Sequence, residues 1–425
     1  DSMSIIRGGA PETARDLVPA VRDGLLLPIP GARTAYRFLH DRVQQAAYAL
    51  IDSAEKEAVH LEIGRRLSAH LGAAERQDRL FEITHHLDVG RNAITDDRER
   101  LELALLNLDA GRKAKDGTAY AAARDYFATG IGCLPGDVWA EHPEPAFELH
   151  RELAEAEYLN GDFDTSEGLL GVLLERAPSV LEKAEVYNTS IVQYTLEARY
   201  SAALESGRTA LALLGEALPP IDSQEAFDAE LAATRSTLGD REIASMIEAP
   251  PMRDPEKKIV MRILANLLPL GVVSDPRLLR LVTVKIVSVS LRYGQTPESA
   301  QGYAFYGKLL TSLEEYRAGY EFGQLALAVS DAIKSSQQKC KVAHVFVAWI
   351  GHWFQPLGTL ATVNDAGYQA GLDAGELQFC GYTSTTTERS GPSLADDRCK
   401  RSSRRRRRSC GSVVEPRTAA RTTSS

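Results

Sequence analysis

From Asp41 onward, apolar residues recur at helical spacing along most of the chain. Val43, Ala46, Ala47, Leu50 and Ile51 fall on one helical face. Asp41 stands where an N-cap belongs, and Gln44, three residues later, where its capping-box partner belongs. Residues 54–71 and 101–115 repeat the amphipathic pattern. Ahead of these helices, residues 12–25 place Ala14, Leu17, Val18, Val21 and Leu25 on one face. Two short apolar runs, residues 25–27 and 36–39, then flank a Pro/Gly turn at residues 28–31 and predict a β-hairpin. A helix followed by a hairpin is what remains of a winged helix whose first part is missing, and the chain starts abruptly without Met. The expectation for residues 1–40 is a partial winged helix used for protein contact. A DNA-binding role would call for a basic recognition helix, and this segment has none.

Further along, the pattern repeats. Four stretches carry an aromatic residue, a small residue three positions on, and then an amphipathic helix. They begin at Tyr120, Phe163, Tyr200 and Tyr316. The intervals are loose. Helices before these aromatics carry small residues, as in Ala104, Ala110 and Ala114, Ala154 and Ala156, or Ala304 and Gly307. Small residues let paired helices approach, and the aromatic fills the gap at the turn. This is the logic of tetratricopeptide repeats and predicts a helical-repeat solenoid, with an irregular bundle as the alternative. A further pair is expected at residues 341–353 and 358–374. Asp275-Pro276 and Thr296-Pro297 each read as a helix start, with the polar residue as cap and Pro in the first turn. The segment 278–291 is the most hydrophobic helix and carries Arg280 and Lys285, so it reads as buried rather than membrane-spanning.

These patterns divide the all-α chain into blocks. Residues 1–40 form the partial winged helix, 41–100 a helical linker, and 101–219 the first repeats. Residues 220–257 read as an exposed charged helix and linker, 258–382 as a second repeat block, and 383–425 as a disordered basic tail. The charge distribution supports the last boundary. The chain carries −9 overall, but residues 383–425 hold ten Arg and one Lys against four acidic residues, a net of +7. The preceding 382 residues therefore carry −16. The tail has no apolar periodicity and cannot bury enough surface to offset chain entropy. An acidic body argues against a general nucleic-acid binder. Non-specific nucleic-acid contact is expected only through Arg404, Arg405, Arg406, Arg407 and Arg408. The five cysteines, Cys133, Cys340, Cys380, Cys399 and Cys410, form no CxxC pair and read as reduced thiols of a cytoplasmic protein.

Candidate chemistry is sparse. Residues 302–308 match the first seven positions of a phosphate-binding loop, but Leu309 replaces the hydroxyl that would hold Mg²⁺, and no strand precedes it. Their backbone N–H groups belong to helix hydrogen bonds and cannot cradle phosphate. His40-Asp41 is explained by capping. His85-His86, being adjacent, point to different faces of a helix and make a poor metal pair. Trp349, Trp353 and Phe354 are candidates for a binding face, with burial in the core as the preferred reading. No catalytic, cofactor-binding or metal-binding residue is expected.

Several segments resemble one family of large bacterial signalling proteins. They are residues 36–51, 106–115, 149–159, 274–279 and 288–300, and the likeness extends over about residues 15–382. Members of that family combine a serine/threonine kinase, a P-loop ATPase of the STAND/AAA type, helical repeats, a GAF domain and a histidine kinase. The resemblance implies a fragment from just after the ATPase core, with a protein-interaction and signal-relay role and no catalytic site of its own. Its partners would be proteins or other domains of the same signalling protein. Two alternatives are a fragment that keeps the ATPase or kinase activity of its relatives, and a winged-helix transcriptional regulator. The likeness ends after Tyr382, and a frameshift is the expected origin of the tail.

Overall fold

The computed structural model describes residues 17–29, 36–50, 52–376 and 379–383. Within them the fold is all-α apart from one hairpin, β1 (Leu26–Pro28) and β2 (Tyr36–Phe38), paired antiparallel with Leu26 opposite Phe38. Residues 17–22 are helical, as the apolar face of that segment requires. Ala14, Pro30, Gly31, Ile51, Cys399, Cys410, Arg404–Arg408 and the tail from residue 384 lie outside the described residues. The chain divides between Gln193 and Tyr194 into two compact units.

The helix after the hairpin, α1 (Asp41–Ala49), corrects the expected cap. His40 is the N-cap, with its backbone extended and its Nδ1 accepting from the Arg42 N–H at 3.2 Å. Asp41 is already helical, and its charge there favours the positive end of the helix dipole. Among its described side chains, the apolar stripe of α1 is largely uncovered. Leu50, just beyond it, is 88% exposed, Ala46 is exposed and Val43 half-buried.

The rest of the first unit is built from α2 (Ser53–His70), α3 (Ala73–Asp78), α4 (Leu80–Val89), α5 (Asp97–Asp116), α6 (Tyr120–Cys133), α7 (Val138–Glu141), α8 (Pro143–Leu159), α9 (Phe163–Arg176) and the start of α10 (Val180–Leu196). Leu67, Ile83, Leu103, Phe127 and Leu149 fill its core. Small residues set the helix spacing. A Cβ on Gly111 of α5 would collide with the Phe127 ring of α6, so only glycine lets the two helices close. Between α5 and α8 the link is ionic. Glu152, 4% exposed, accepts from Lys115 at 2.5 Å, Arg112 at 2.9 Å and Arg151 at 3.3 Å.

Each aromatic that marks a repeat is the first residue of its helix: Tyr120, Phe163, Tyr200 and Tyr316. The small residues three positions on, Ala123, Ser166, Ala203 and Gly319, are all buried. The turn before each aromatic is the same. The residue two positions earlier has positive φ: Thr118 (60°), Gly161 (89°), Ala198 (57°) and Glu314 (66°). The next residue's N–H then reaches back five positions, as in Ala119 to Ala114 O (2.9 Å) and Glu315 to Leu310 O (2.9 Å). This is the Schellman end of a helix, used four times to send the chain into its partner.

The second unit contains α11 (Tyr200–Leu213), α12 (Gln224–Leu238), α13 (Pro255–Val273), α14 (Pro276–Tyr293), α15 (Pro297–Ser312), α16 (Tyr316–Ile333), α17 (Ser336–Val345) and α18 (Leu357–Asp373). As the hydrophobicity of 278–291 predicts, α14 is buried along nearly its whole length. Its Lys285 meets Glu216 at 3.1 Å, and the same carboxylate takes Lys257 at 2.9 Å and Arg292 at 3.3 Å. The expected cap at Asp275 holds, its carboxylate accepting from the Arg277 N–H. Thr296 stands at the N-cap position and its N–H donates to Ser299 Oγ, but its own hydroxyl makes no capping bond. One expectation changes: α12 is not a free charged helix. It packs on α14, burying Phe227 and Leu231, with Arg280 over the Phe227 ring at 4.8 Å. The tail boundary also shifts, because Thr383 is buried and its carbonyl accepts from Asn364 at 3.0 Å. No helix among the described residues is long and apolar enough to cross a membrane.

Candidate interaction surface

The end of α17 is irregular, and that irregularity makes a surface. After Val345 the chain widens into a π-turn over Phe346–Ile350, tightens into a 3₁₀ turn over Gly351–Trp353, and enters α18 after Pro356. Phe346, Val347 and Ile350 face inward. Gly351 is needed because a Cβ there would lie 2.5 Å from Leu360 Cδ2 of α18. The π-turn adds a residue to the helical register, so a stripe drawn at 3.6 residues per turn misplaces the side chains beyond it. Trp349, Trp353 and Phe354, read from sequence as core, are 49%, 54% and 47% exposed.

Trp353 and Phe354 do not stand alone. The Tyr316 ring lies 4.9 Å from Trp353, and the Tyr320 ring 4.6 Å from Phe354. The Tyr320 hydroxyl accepts from the Gln324 and Gln355 amides at 2.8 and 2.6 Å, which ties the turn to α16. Leu313 and Leu357 extend the exposed apolar area. The result is an aromatic patch whose side chains are held in place before any partner arrives. Tyr320 and Gln355, which hold it, were not evident from sequence, because Gln355 reaches α16 only through the bend.

In the first unit, α2 to α5 enclose a groove of about 670 Å³. Its floor is apolar, with Leu80, Ile83, Leu87 and Leu103, and a two-pronged Arg65–Glu99 pair (2.6 and 2.7 Å) closes one side. Such a groove suits an apolar side chain of a partner.

The sequence motifs fall into structural roles. Residues 302–308 lie inside α15. Gly302 makes room for Ile286, whose Cγ2 an added Cβ would strike, and Gly307 packs on the Gly319 carbonyl of α16. These glycines serve helix packing. His85 is exposed and His86 half-buried, as adjacent helical positions require. Both rings nevertheless come within 6 Å of His60 on α2, and the two Nδ1 atoms of His60 and His86 are 3.1 Å apart. Burial first, and the neighbouring imidazoles second, hold the His60 and His86 pKa values below the ordinary histidine range. Cys340 and Cys380, forty residues apart in sequence, both pack where a Cβ of Gly371 would be.

No family model matches the chain. Over 395 residues the chain is 25% identical to hybrid signal transduction histidine kinase G of Dictyostelium discoideum. That match covers 82% of this chain and 12% of the relative, so the chain spans about an eighth of the relative's length. A STAND signal-transduction ATPase with a tetratricopeptide-repeat sensor, from Pyrococcus horikoshii, aligns over 94% of this chain and 61% of its own. Its identity is 12% and its TM-score 0.32, too low to establish a common fold.

Proposed function

We propose that this chain is a protein-interaction and signal-relay region of a signalling ATPase or kinase, without a catalytic site of its own. The observation that carries the reading is the aromatic patch of Tyr316, Trp353 and Phe354, exposed yet fixed through Tyr320 and Gln355. Aromatic side chains presented rigidly lose little entropy on docking and dominate protein interfaces. The likeness to a histidine kinase supports the signalling context. In the resembled family, helical repeats lie between an ATPase switch and kinase output, and the proposed partner is such a neighbouring domain.

The alternative, retained ATPase activity, has one residue-level candidate in 302–308. Calorimetric titration of the full chain with MgATP, together with a phosphate-release assay, tests it. The expected result is no saturable heat and no release above buffer. Saturable ATP binding that disappears in Lys308→Ala would overturn the non-catalytic reading.

A further inference from the structure

Within the second unit, α13, α15 and α17, with Trp349, Phe379 and Tyr382, line a cavity of about 210 Å³. Its walls are mostly apolar, including Leu268, Val272, Phe305 and Val345. Among the described residues, Lys308 is the one charged side chain lining it, and no acidic residue does. The ammonium stands 4.1 Å from the Trp349 ring centroid and 5.8 Å from that of Phe305. Other lysines of low exposure are differently placed: Lys115 rests on Glu152 and Glu155, and Lys257 and Lys285 on Glu216. None of the ion pairs found among the described residues includes Lys308. Burial alone pushes its pKa down, where a nearby carboxylate would push it up. His344 lines the same cavity, and its Nδ1 is buried with no hydrogen-bond partner. Burial, and then the charge of Lys308, push the pKa of this imidazole below the ordinary histidine range, which favours the neutral form with its single N–H. Gln301 adds a buried amide.

We infer that this cavity binds a small monocarboxylic acid with an apolar body, its carboxylate on Lys308 Nζ and the His344 imidazole and its body against Val272, Phe305 and Val345. A half-buried cation and an unpartnered imidazole nitrogen in a largely apolar cavity are costly unless an anion meets them. The volume is below the roughly 300–1,000 Å³ of pockets for drug-sized ligands, which selects a small acid. Val272, Val273 and Trp349 are exposed at the mouth, so entry needs no opening of the core. The site stands whether or not the aromatic patch docks a protein.

Phenylacetate and hexanoate serve as probes, with phenylacetamide and hexanamide as neutral counterparts, each titrated into the full chain by calorimetry and by tryptophan fluorescence. At least one acid is expected to bind saturably with a Kd of about 1 mM or tighter, and its amide about tenfold or more weakly. Lys308→Met should weaken the acid by about tenfold, or about 1.4 kcal/mol, with the circular dichroism unchanged. Val272→Trp, at an exposed position, should fill the mouth and abolish binding, and it decides the matter if Lys308→Met does not fold. Failure of both acids to bind, equal binding of acids and amides, or binding that survives Val272→Trp would each overturn the assignment. So would self-association of the chain that Val272→Trp removes, because a second copy would then be the occupant.

Discussion

Two glutamates show how single residues hold each unit together. Glu152 and Glu216 are both almost fully buried, and each meets three cations. For Glu152, burial pushes the pKa up, but the hydrogen bond and charge of Lys115, with Arg151 and Arg112, outweigh it and leave the value below the ordinary carboxylate range. Lys257 and Lys285 do the same for Glu216. A group whose folded pKa is lowered adds stability that is present above the unfolded value, about 4.3 for Glu, and is lost as pH falls through the folded value. Glu152→Ala should therefore cost about 1.5–3 kcal/mol at pH 7, because Lys115, Arg112 and Arg151 lose charged hydrogen bonds to a buried carboxylate while keeping Glu155 or Glu148 as a second partner. The loss should shrink as the pH approaches 3. Urea midpoints measured from pH 7 to 3 check both statements, and an unchanged midpoint at pH 7 would show that the cluster is energetically neutral. None of this was legible from sequence. Glu152 sits within one of the recognisable runs, but Arg112 and Lys115 are 40 and 37 residues away.

Among elements, the helix pairs were legible and their turns only half so. The aromatic residue and the small residue three positions on located four helix starts, because packing needs a filler and a close approach at those points. The backbone of the turn left no such mark. Glycine occupies the positive-φ position in only one of the four, and Thr118, Ala198 and Glu314 accept the strain. A non-glycine residue there costs roughly 1–2 kcal/mol, partly offset by the roughly 0.5–1 kcal/mol of chain entropy that glycine would lose. Thr118→Gly should stabilise the chain by about 0.5–1 kcal/mol, and Gly161→Ala should destabilise it by about 1 kcal/mol. Opposite shifts of the urea midpoint are the check, and shifts of the same sign would mean that side-chain contacts rather than φ decide these turns. The same blindness explains two corrections. His40 rather than Asp41 caps α1, since either residue type can supply the acceptor. The π-turn of Phe346–Ile350 turned three aromatics outward, since a register change carries no residue signature.

At the scale of the whole molecule, the helical class and the buried character of residues 278–291 were legible in the periodicity, and the acidic body in a count of charges. The division between Gln193 and Tyr194 was not, because it falls inside α10, where the apolar pattern is continuous. The candidate surface was only named in part: Trp353 and Phe354 were noticed, but their exposure depends on a bend. That surface is where the proposed relay is most directly tested. A photo-crosslinking benzophenone amino acid placed at Trp353, in cells that express the chain in its native setting, reports what touches the patch. The control is the same group at Arg317, whose side chain on α16 is 90% exposed. The account predicts a discrete product with an ATPase or kinase segment from position 353, weak or absent from 317, and lost when Phe354→Ser is added. No product at 353, or the same products from both positions, would contradict it.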